Sequence, residues 1–93
     1  MMIQIDPHTL ERALERGATE EEIRDTLTNG LPITAKGQRL GKTKVFEFQN
    51  TRGQKYYEQK RIEVIYIMEN DVAVTVTVYV FYGKWETQHE HSL

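Results

Sequence analysis

The alternating segment at residues 72 to 82, VAVTVTVYVFY, constrains the fold of this chain more than any other segment. β-Branched and aromatic side chains favour strands, and alternate residues of a strand point to opposite faces of the sheet. We therefore expect one face to carry Val72, Val74, Val76, Val78 and Val80, and the other to carry Ala73, Thr75, Thr77, Tyr79 and Phe81. Since neither face is strongly polar, the pattern predicts a central strand.

Further strands precede this segment. Residues 56 to 68 are rich in Tyr, Ile and Val, and the turn residues Glu69, Asn70 and Asp71 follow them directly. This order predicts a long antiparallel hairpin with residues 72 to 82. The pattern also predicts an earlier strand over residues 42 to 48 and a short strand over residues 32 to 35.

The N-terminal third predicts helices instead. Asp6 is suited to cap a first helix, Pro7 fits its first position, and Gly17 is suited to end it. The apolar side of this helix consists of Leu10, Ala13 and Leu14.

A second helix is predicted to follow almost immediately. Thr19 and Glu22 have the spacing of a capping box, Ile23 and Leu27 lie four residues apart, and Gly30 marks the exit. The two helices should therefore form a helical hairpin.

These elements predict an α+β domain, in which the N-terminal two-helix hairpin packs on a twisted three- to four-stranded antiparallel sheet. If the helices cover the valine face, Thr75, Thr77 and Tyr79 are left on a surface suited to binding or to a dimer interface. We expect one domain over residues 1 to 86 and a flexible tail over residues 87 to 93.

The composition narrows the range of functions. The chain has no cysteine, so it has neither a disulfide nor a thiol nucleophile. No stretch approaches the roughly 18 apolar residues of a membrane span, so we expect no membrane role. Residues 1 to 6 lack a basic segment followed by an apolar run, so we expect an unexported chain with a cytoplasmic location.

Charge is segregated along the chain. Residues 31 to 61 hold eight basic and two acidic side chains, a local charge of +6, although the whole chain carries −2. The basic members are Lys36, Arg39, Lys42, Lys44, Arg52, Lys55, Lys60 and Arg61. This block predicts either a positive surface for a polyanion or charged turns and strand edges that discourage aggregation.

A second basic feature lies on the first predicted helix. His8, Arg12 and Arg16 recur every four residues, so one helix carries all three on nearly the same face. One interpretation is a site for RNA, with a titratable imidazole beside two phosphate-binding groups. The other is a solvated helix face on which Glu11 and Glu15 neutralise the arginines.

The run at residues 8 to 23, HTLERALERGATEEEI, resembles the domain of unknown function 4258 family. Members of that family have a His-containing helix, an Arg-Gly turn, a second helix with an acidic cap, and a late strand similar to VTVTVY at residues 74 to 79. The resemblance covers most of the chain. It implies a relation to the barnase, EndoU, colicin and RelE-like fold, which includes metal-independent ribonucleases and toxins of toxin-antitoxin systems.

The resemblance implies a small toxin-like metal-independent endoribonuclease or RNA-binding domain. His8 matches the helix-borne histidine of the family, and Arg12 and Arg16 match the basic positions after it, which makes these three the expected catalytic residues. His8 would act as general acid or base, and the arginines would stabilise the phosphate oxyanion, without a metal or other cofactor. RNA would be the substrate, and an antitoxin-like protein a partner.

Lys60, Arg61 and Tyr79 are candidate substrate-binding residues, because the first two suit phosphates and the third suits base stacking. Their alternative roles are strand solubility and core packing. His89, Glu90 and His91 are a weak zinc signal.

No second histidine precedes those tail residues. This favours an alternative function, a noncatalytic protein-binding or homo-oligomerisation module that forms a homodimer through the face of Thr75, Thr77 and Tyr79.

Overall fold

The computed structural model describes residues 1 to 85, which form two helices and a five-stranded sheet. In chain order the elements are β1 (Met2–Gln4), α1 (Pro7–Arg16), α2 (Glu20–Asn29), β2 (Leu31–Ile33), β3 (Leu40–Arg52), β4 (Lys55–Glu69) and β5 (Val72–Gly83). This arrangement confirms the α+β class and the N-terminal position of the helices. The predicted tail at residues 87 to 93 lies outside the described residues.

Helix α1 begins and ends at the residues that the sequence indicates. The Asp6 carboxylate accepts hydrogen bonds from the backbone N–H groups of His8 (3.1 Å) and Thr9 (3.2 Å). Gly17 ends the helix with a left-handed φ of 101°. A side chain at Gly17 would also collide with the Tyr82 hydroxyl, so glycine is required there for two reasons.

Helix α2 has the predicted capping box. The Thr19 hydroxyl accepts a hydrogen bond from Glu22 N–H (3.1 Å), and the Glu22 carboxylate accepts one from Thr19 N–H (3.0 Å). Ile23 and Leu27 on this helix are fully buried. The local sequence signals therefore define both helices.

The strand order is β1-β5-β4-β3-β2, with antiparallel pairing from β2 through to β5. β1 pairs in parallel with β5, so the sheet is mixed and has five strands rather than the three or four antiparallel strands that we predicted. β1 was missed because its three residues are too few to display an alternating pattern.

The predicted assignment of β5 side chains to two faces is wrong, because the strand contains a bulge. Thr75 pairs with Tyr66 of β4, but Thr77 pairs with the preceding residue, Ile65, which leaves Val76 as an extra residue. Since Ile65 and Tyr66 point to opposite faces, Thr75 and Thr77 do so as well. Strict alternation therefore holds only on either side of Val76.

One face of the sheet packs on both helices. Its core consists of Ala13, Ala18, Ile23 and Leu27 from the helical segment and Ile62, Val64, Tyr66, Ala73 and Val78 from β4 and β5. Thr75 is buried on the same side, where its hydroxyl accepts a hydrogen bond from Asp6 N–H (3.1 Å). The helices thus cover a face of mixed composition, not the five valines.

The opposite face, which we call the open face, carries no helix of the described residues. Strand register places these residues on it: Arg61, Glu63 and Ile65 of β4, and Val72, Val74, Thr77, Tyr79 and Phe81 of β5. Across residues 1 to 85, no helix is long and apolar enough to cross a membrane.

Candidate functional site

Helix α1 lies along the part of the β5 edge that no strand of the described residues covers. β1 covers this edge only as far as Val74, which pairs with Gln4. Beyond that point, the Thr9 hydroxyl donates a hydrogen bond to the Val76 carbonyl (3.3 Å), and the Arg16 guanidinium donates one to the Val78 carbonyl (2.7 Å). Side chains of α1 therefore satisfy backbone groups that would otherwise pair with another strand.

A cavity of about 220 Å³ opens between the start of α1 and this edge of β5. Its lining residues, which define what we call the edge cavity, are Asp6, His8, Thr9, Arg12, Val76, Thr77 and Val78. Both His8 and Arg12 are exposed to solvent. The structure thus brings together two of the three residues predicted to be catalytic.

Arg16, the third member of the predicted set, does not line the edge cavity. Its guanidinium is bound to the Val78 carbonyl, and its own carbonyl accepts a hydrogen bond from the Tyr82 hydroxyl (2.6 Å). Arg16 therefore joins α1 to β5 at two points, which is a structural role.

The alternative interpretation of the helix face required Glu11 and Glu15 to neutralise the arginines. Among residues 1 to 85, no ion pair joins either carboxylate to Arg12 or Arg16. The positive charge of Arg12 is therefore directed to solvent and to the edge cavity.

Asp6 is a cavity residue that the sequence indicated only as a helix cap. One carboxylate oxygen, Oδ2, accepts the capping hydrogen bonds, while Oδ1 accepts none from the described residues. The edge cavity consequently contains two titratable side chains, Asp6 and His8, beside one guanidinium. The position of the cap two residues before His8 was the available sequence signal.

Lys60 and Arg61, both predicted to bind substrate, project to opposite faces of β4 because they are adjacent on a strand. Lys60 is buried against the helices, where its Nζ donates to the Gly17 carbonyl (2.7 Å) and to Glu22 (2.9 Å). Lys60 is therefore unsuited to binding a ligand. Arg61 lies on the open face and pairs with Glu63 (3.1 Å).

Tyr79, the remaining predicted binding residue, lines a second hollow on the open face. This face depression has a volume of about 310 Å³ and is lined by Ala35, Lys36, Arg39, Ile65, Thr77 and Tyr79. Thr77 lines both the face depression and the edge cavity, so the two hollows are neighbours. Neither Lys36 nor Arg39 forms an ion pair with another described residue.

Several side chains of the basic block at residues 31 to 61 make contacts within the domain. Lys44 pairs with Asp25 (2.6 Å), and Arg52 donates to the Glu15 carbonyl (2.9 Å). The pKa of Asp25 lies below its ordinary value, mainly because Asn29 donates a hydrogen bond to the carboxylate and also because Lys44 donates one. With Lys60 and Arg61, four of the eight basic side chains thus make contacts within the domain.

Among residues 1 to 85, no three His, Cys, Asp or Glu side chains are grouped so as to hold a metal ion. The weak zinc signal at His89, Glu90 and His91 lies outside the described residues.

No protein-family model matches the chain, and no curated protein or solved structure matches it at a significant level. The resemblance to the domain of unknown function 4258 family therefore stays a prediction.

Proposed function

We propose that this protein is a small metal-independent endoribonuclease of the toxin-like type, with its active site in the edge cavity. The observation that carries the proposal is the convergence of His8, Arg12 and Asp6 on one solvent-accessible cavity of about 220 Å³. Cleavage of RNA by its own 2′-hydroxyl needs a base, an acid and a cation for the phosphate. The cavity offers one group for each task.

In this mechanism the two titratable groups share the proton transfers. One removes the proton of the 2′-hydroxyl as it attacks phosphorus, and the other protonates the departing 5′-oxygen. Asp6 fills the place of the second histidine, whose absence from residues 1 to 85 argued against a two-histidine mechanism. Its Oδ1 is free of hydrogen bonds from the described residues and is suited to accept a proton.

Arg12 is the proposed phosphate-binding residue. It lies one helical turn after His8, so both side chains reach the same cavity from one helix. Its fixed positive charge would stabilise the additional negative charge of the phosphorane. The N-terminus of α1 adds a further favourable field for an anion.

The test is cleavage of labelled mixed-sequence RNA by the purified chain with a chelator present. Replacing His8 with Ala should lower the rate by about 100-fold or more, as for loss of a general acid or base. Arg12→Ala should lower it by about 100-fold. Asp6→Asn keeps a good helix cap and removes only the titratable group, so it should also abolish most of the activity.

Arg24→Ala supplies the matched control. Arg24 is an exposed arginine on the other helix that pairs with Glu20 (3.0 Å) and does not line the edge cavity. This variant should cleave RNA like the original chain. Equal activity in the original chain and all three cavity variants would contradict the proposed active site.

A second candidate function is the noncatalytic module that self-associates through the open face. The observation in its favour is that Tyr79 and Phe81 are both exposed there. With Thr75 buried on the other side, Thr77 and Tyr79 remain as the central residues of such an interface. A dimer in sedimentation that Thr77→Lys dissociates, together with no RNA cleavage, would favour this function.

A further inference from the structure

The open face carries exposed aromatic rings that the proposed cleavage chemistry does not use. Tyr79 is 44% exposed and Phe81 is 40% exposed. Their ring centroids lie 6.4 Å apart and the ring planes are inclined by 31°. A β-sheet face with exposed, neighbouring rings is a surface on which flat ligands can stack.

The Arg61 guanidinium lies against part of this aromatic surface. Its guanidinium lies 5.2 Å from the Phe81 ring centroid and 5.3 Å from the Trp85 ring. Because Glu63 pairs with the same guanidinium, the charge of Arg61 is partly compensated. Arg61 is therefore less available to a phosphate than a cation without an acidic partner.

Two cations without an acidic partner among the described residues lie beside Tyr79. Lys36 and Arg39 line the face depression together with Tyr79, and neither is paired with an acidic side chain of the described residues. The surface thus combines rings that can stack with unneutralised positive charges. This combination is complementary to an unpaired polynucleotide, which offers bases and phosphates together.

The stacking surface is also continuous with the proposed active site. Thr77 lines both the face depression and the edge cavity, so one strand of RNA can pass from Tyr79 to His8 across Thr77. This continuity distinguishes the open face from an unrelated apolar patch.

We infer that the open face binds single-stranded RNA, with bases stacked on Tyr79 and Phe81 and phosphates at Lys36 and Arg39, and so restricts the substrate to unpaired RNA. This inference rests on the proposed function, because it assigns the substrate of that same site. Bases in a duplex are already stacked and paired within the helix and cannot lie on a protein ring.

The experiment measures binding by fluorescence anisotropy, with a labelled single-stranded RNA and the duplex formed from the same sequence. The RNA carries 2′-O-methyl groups throughout, so that no 2′-hydroxyl attack occurs during the titration. Single strands should bind at least about tenfold more tightly than the duplex, and Tyr79→Ala and Phe81→Ala should each weaken single-strand binding about tenfold. Lys36→Ala should weaken it and reduce its dependence on salt.

Tyr56→Ala is the matched control. Tyr56 is 57% exposed but lines neither the edge cavity nor the face depression, so its replacement should leave binding unchanged. Equal affinity for duplex and single strand, or unchanged binding by the Tyr79 and Phe81 variants, would overturn the inference. A dimer that occupies the open face, seen by sedimentation and dissociated by Tyr79→Ala, would overturn it too.

The two proposals fail separately. Ring-dependent binding without cleavage of unmodified RNA would reject the endoribonuclease and keep the single-strand surface. His8-dependent cleavage with an unchanged KM in Tyr79→Ala and Phe81→Ala would reject the surface and keep the active site.

Discussion

Thr75 and Thr77 lie two residues apart on one strand, yet their side chains are on opposite faces of the sheet. The bulge at Val76 causes this separation. It places Thr75 beneath the helices, where the hydroxyl accepts from Asp6 N–H, and it places Thr77 between the edge cavity and the face depression. Bulges re-aim side chains in this way at sheet edges and beside functional sites.

The two threonines should therefore respond differently to the same substitution. Thr75→Val leaves the Asp6 N–H without its acceptor and should reduce the free energy of unfolding by about 1 to 2 kcal/mol. Thr77→Val removes no hydrogen bond between described residues and should change it by less than about 0.5 kcal/mol. Urea unfolding of both variants checks this, and equal losses would contradict the assignment of the two faces.

Two arginines of α1 should also behave differently. Arg16→Met removes the donor to the Val78 carbonyl and should destabilise the domain by about 1 to 3 kcal/mol. Arg12→Met should have little effect on the free energy of unfolding, because Arg12 makes no hydrogen bond or ion pair with a described residue. Thermal unfolding followed by circular dichroism separates the two. A larger loss for Arg12 than for Arg16 would show that the roles are exchanged.

The buried Lys60 should contribute more to the free energy of unfolding than a surface lysine does. Lys60→Met leaves the Gly17 carbonyl and Glu22 without their cation, at a cost of about 2 to 3 kcal/mol once the partial exposure of Glu22 is considered. Glu22→Gln retains the capping box, so the double variant should lose less than the two single losses combined. If the two single losses in the free energy of unfolding simply add in the double variant, Lys60 and Glu22 do not stabilise the fold through their ion pair.

Tyr82 should make the free energy of unfolding depend on pH in the alkaline range. Burial raises the pKa of its phenol, although the nearby Arg52 opposes the shift. A raised folded-state pKa means that the folded protein holds this proton more tightly, so the stabilisation is complete below about pH 10 and is lost as the pH rises through the folded-state value.

The variant that tests this is Tyr82→Phe. It should lower the free energy of unfolding by about 1 kcal/mol at neutral pH, because the Arg16 carbonyl loses its donor. Above the ordinary tyrosine pKa its stability should decline less steeply than that of the original chain. Urea unfolding across a series of alkaline buffers measures both effects, and identical alkaline slopes would exclude Tyr82 as the source.

Local signals in the sequence were sufficient to predict where the two helices begin and where α1 ends. Asp6, Pro7 and Gly17 define α1, and Thr19 with Glu22 defines the start of α2, because capping depends on residues within one turn of each other. The long hairpin was also predictable, since Asn70 and Asp71 adopt the positive φ values that a tight loop between β4 and β5 requires.

The features that depend on distant contacts were not predictable. The alternating pattern of β5 gives no sign of the bulge at Val76, because an inserted residue looks like any other valine in the sequence. The burial of Lys60 depends on Glu22 and Gly17, which are remote in the chain. Strand alternation alone, however, would have separated Lys60 from Arg61.

The candidate site was therefore predictable in part. The spacing of His8 and Arg12 indicates a shared helix face, and the structure places both on one cavity. The spacing could not reveal that Arg16 is bound to the Val78 carbonyl, nor that Lys36 and Arg39 lie near the same strand through Thr77. Those relationships are set by how β5 packs against α1 and against the segment before β3.

The most direct test of the account is to identify the RNA ends that the chain produces in the presence of a chelator, compared with those from His8→Ala. Attack by the 2′-hydroxyl predicts 2′,3′-cyclic phosphate ends from the original chain, few or none from the variant, and no cleavage of DNA of the same sequence. Cyclic ends formed at the same rate by both proteins, or no cleavage by either, would contradict an active site centred on His8.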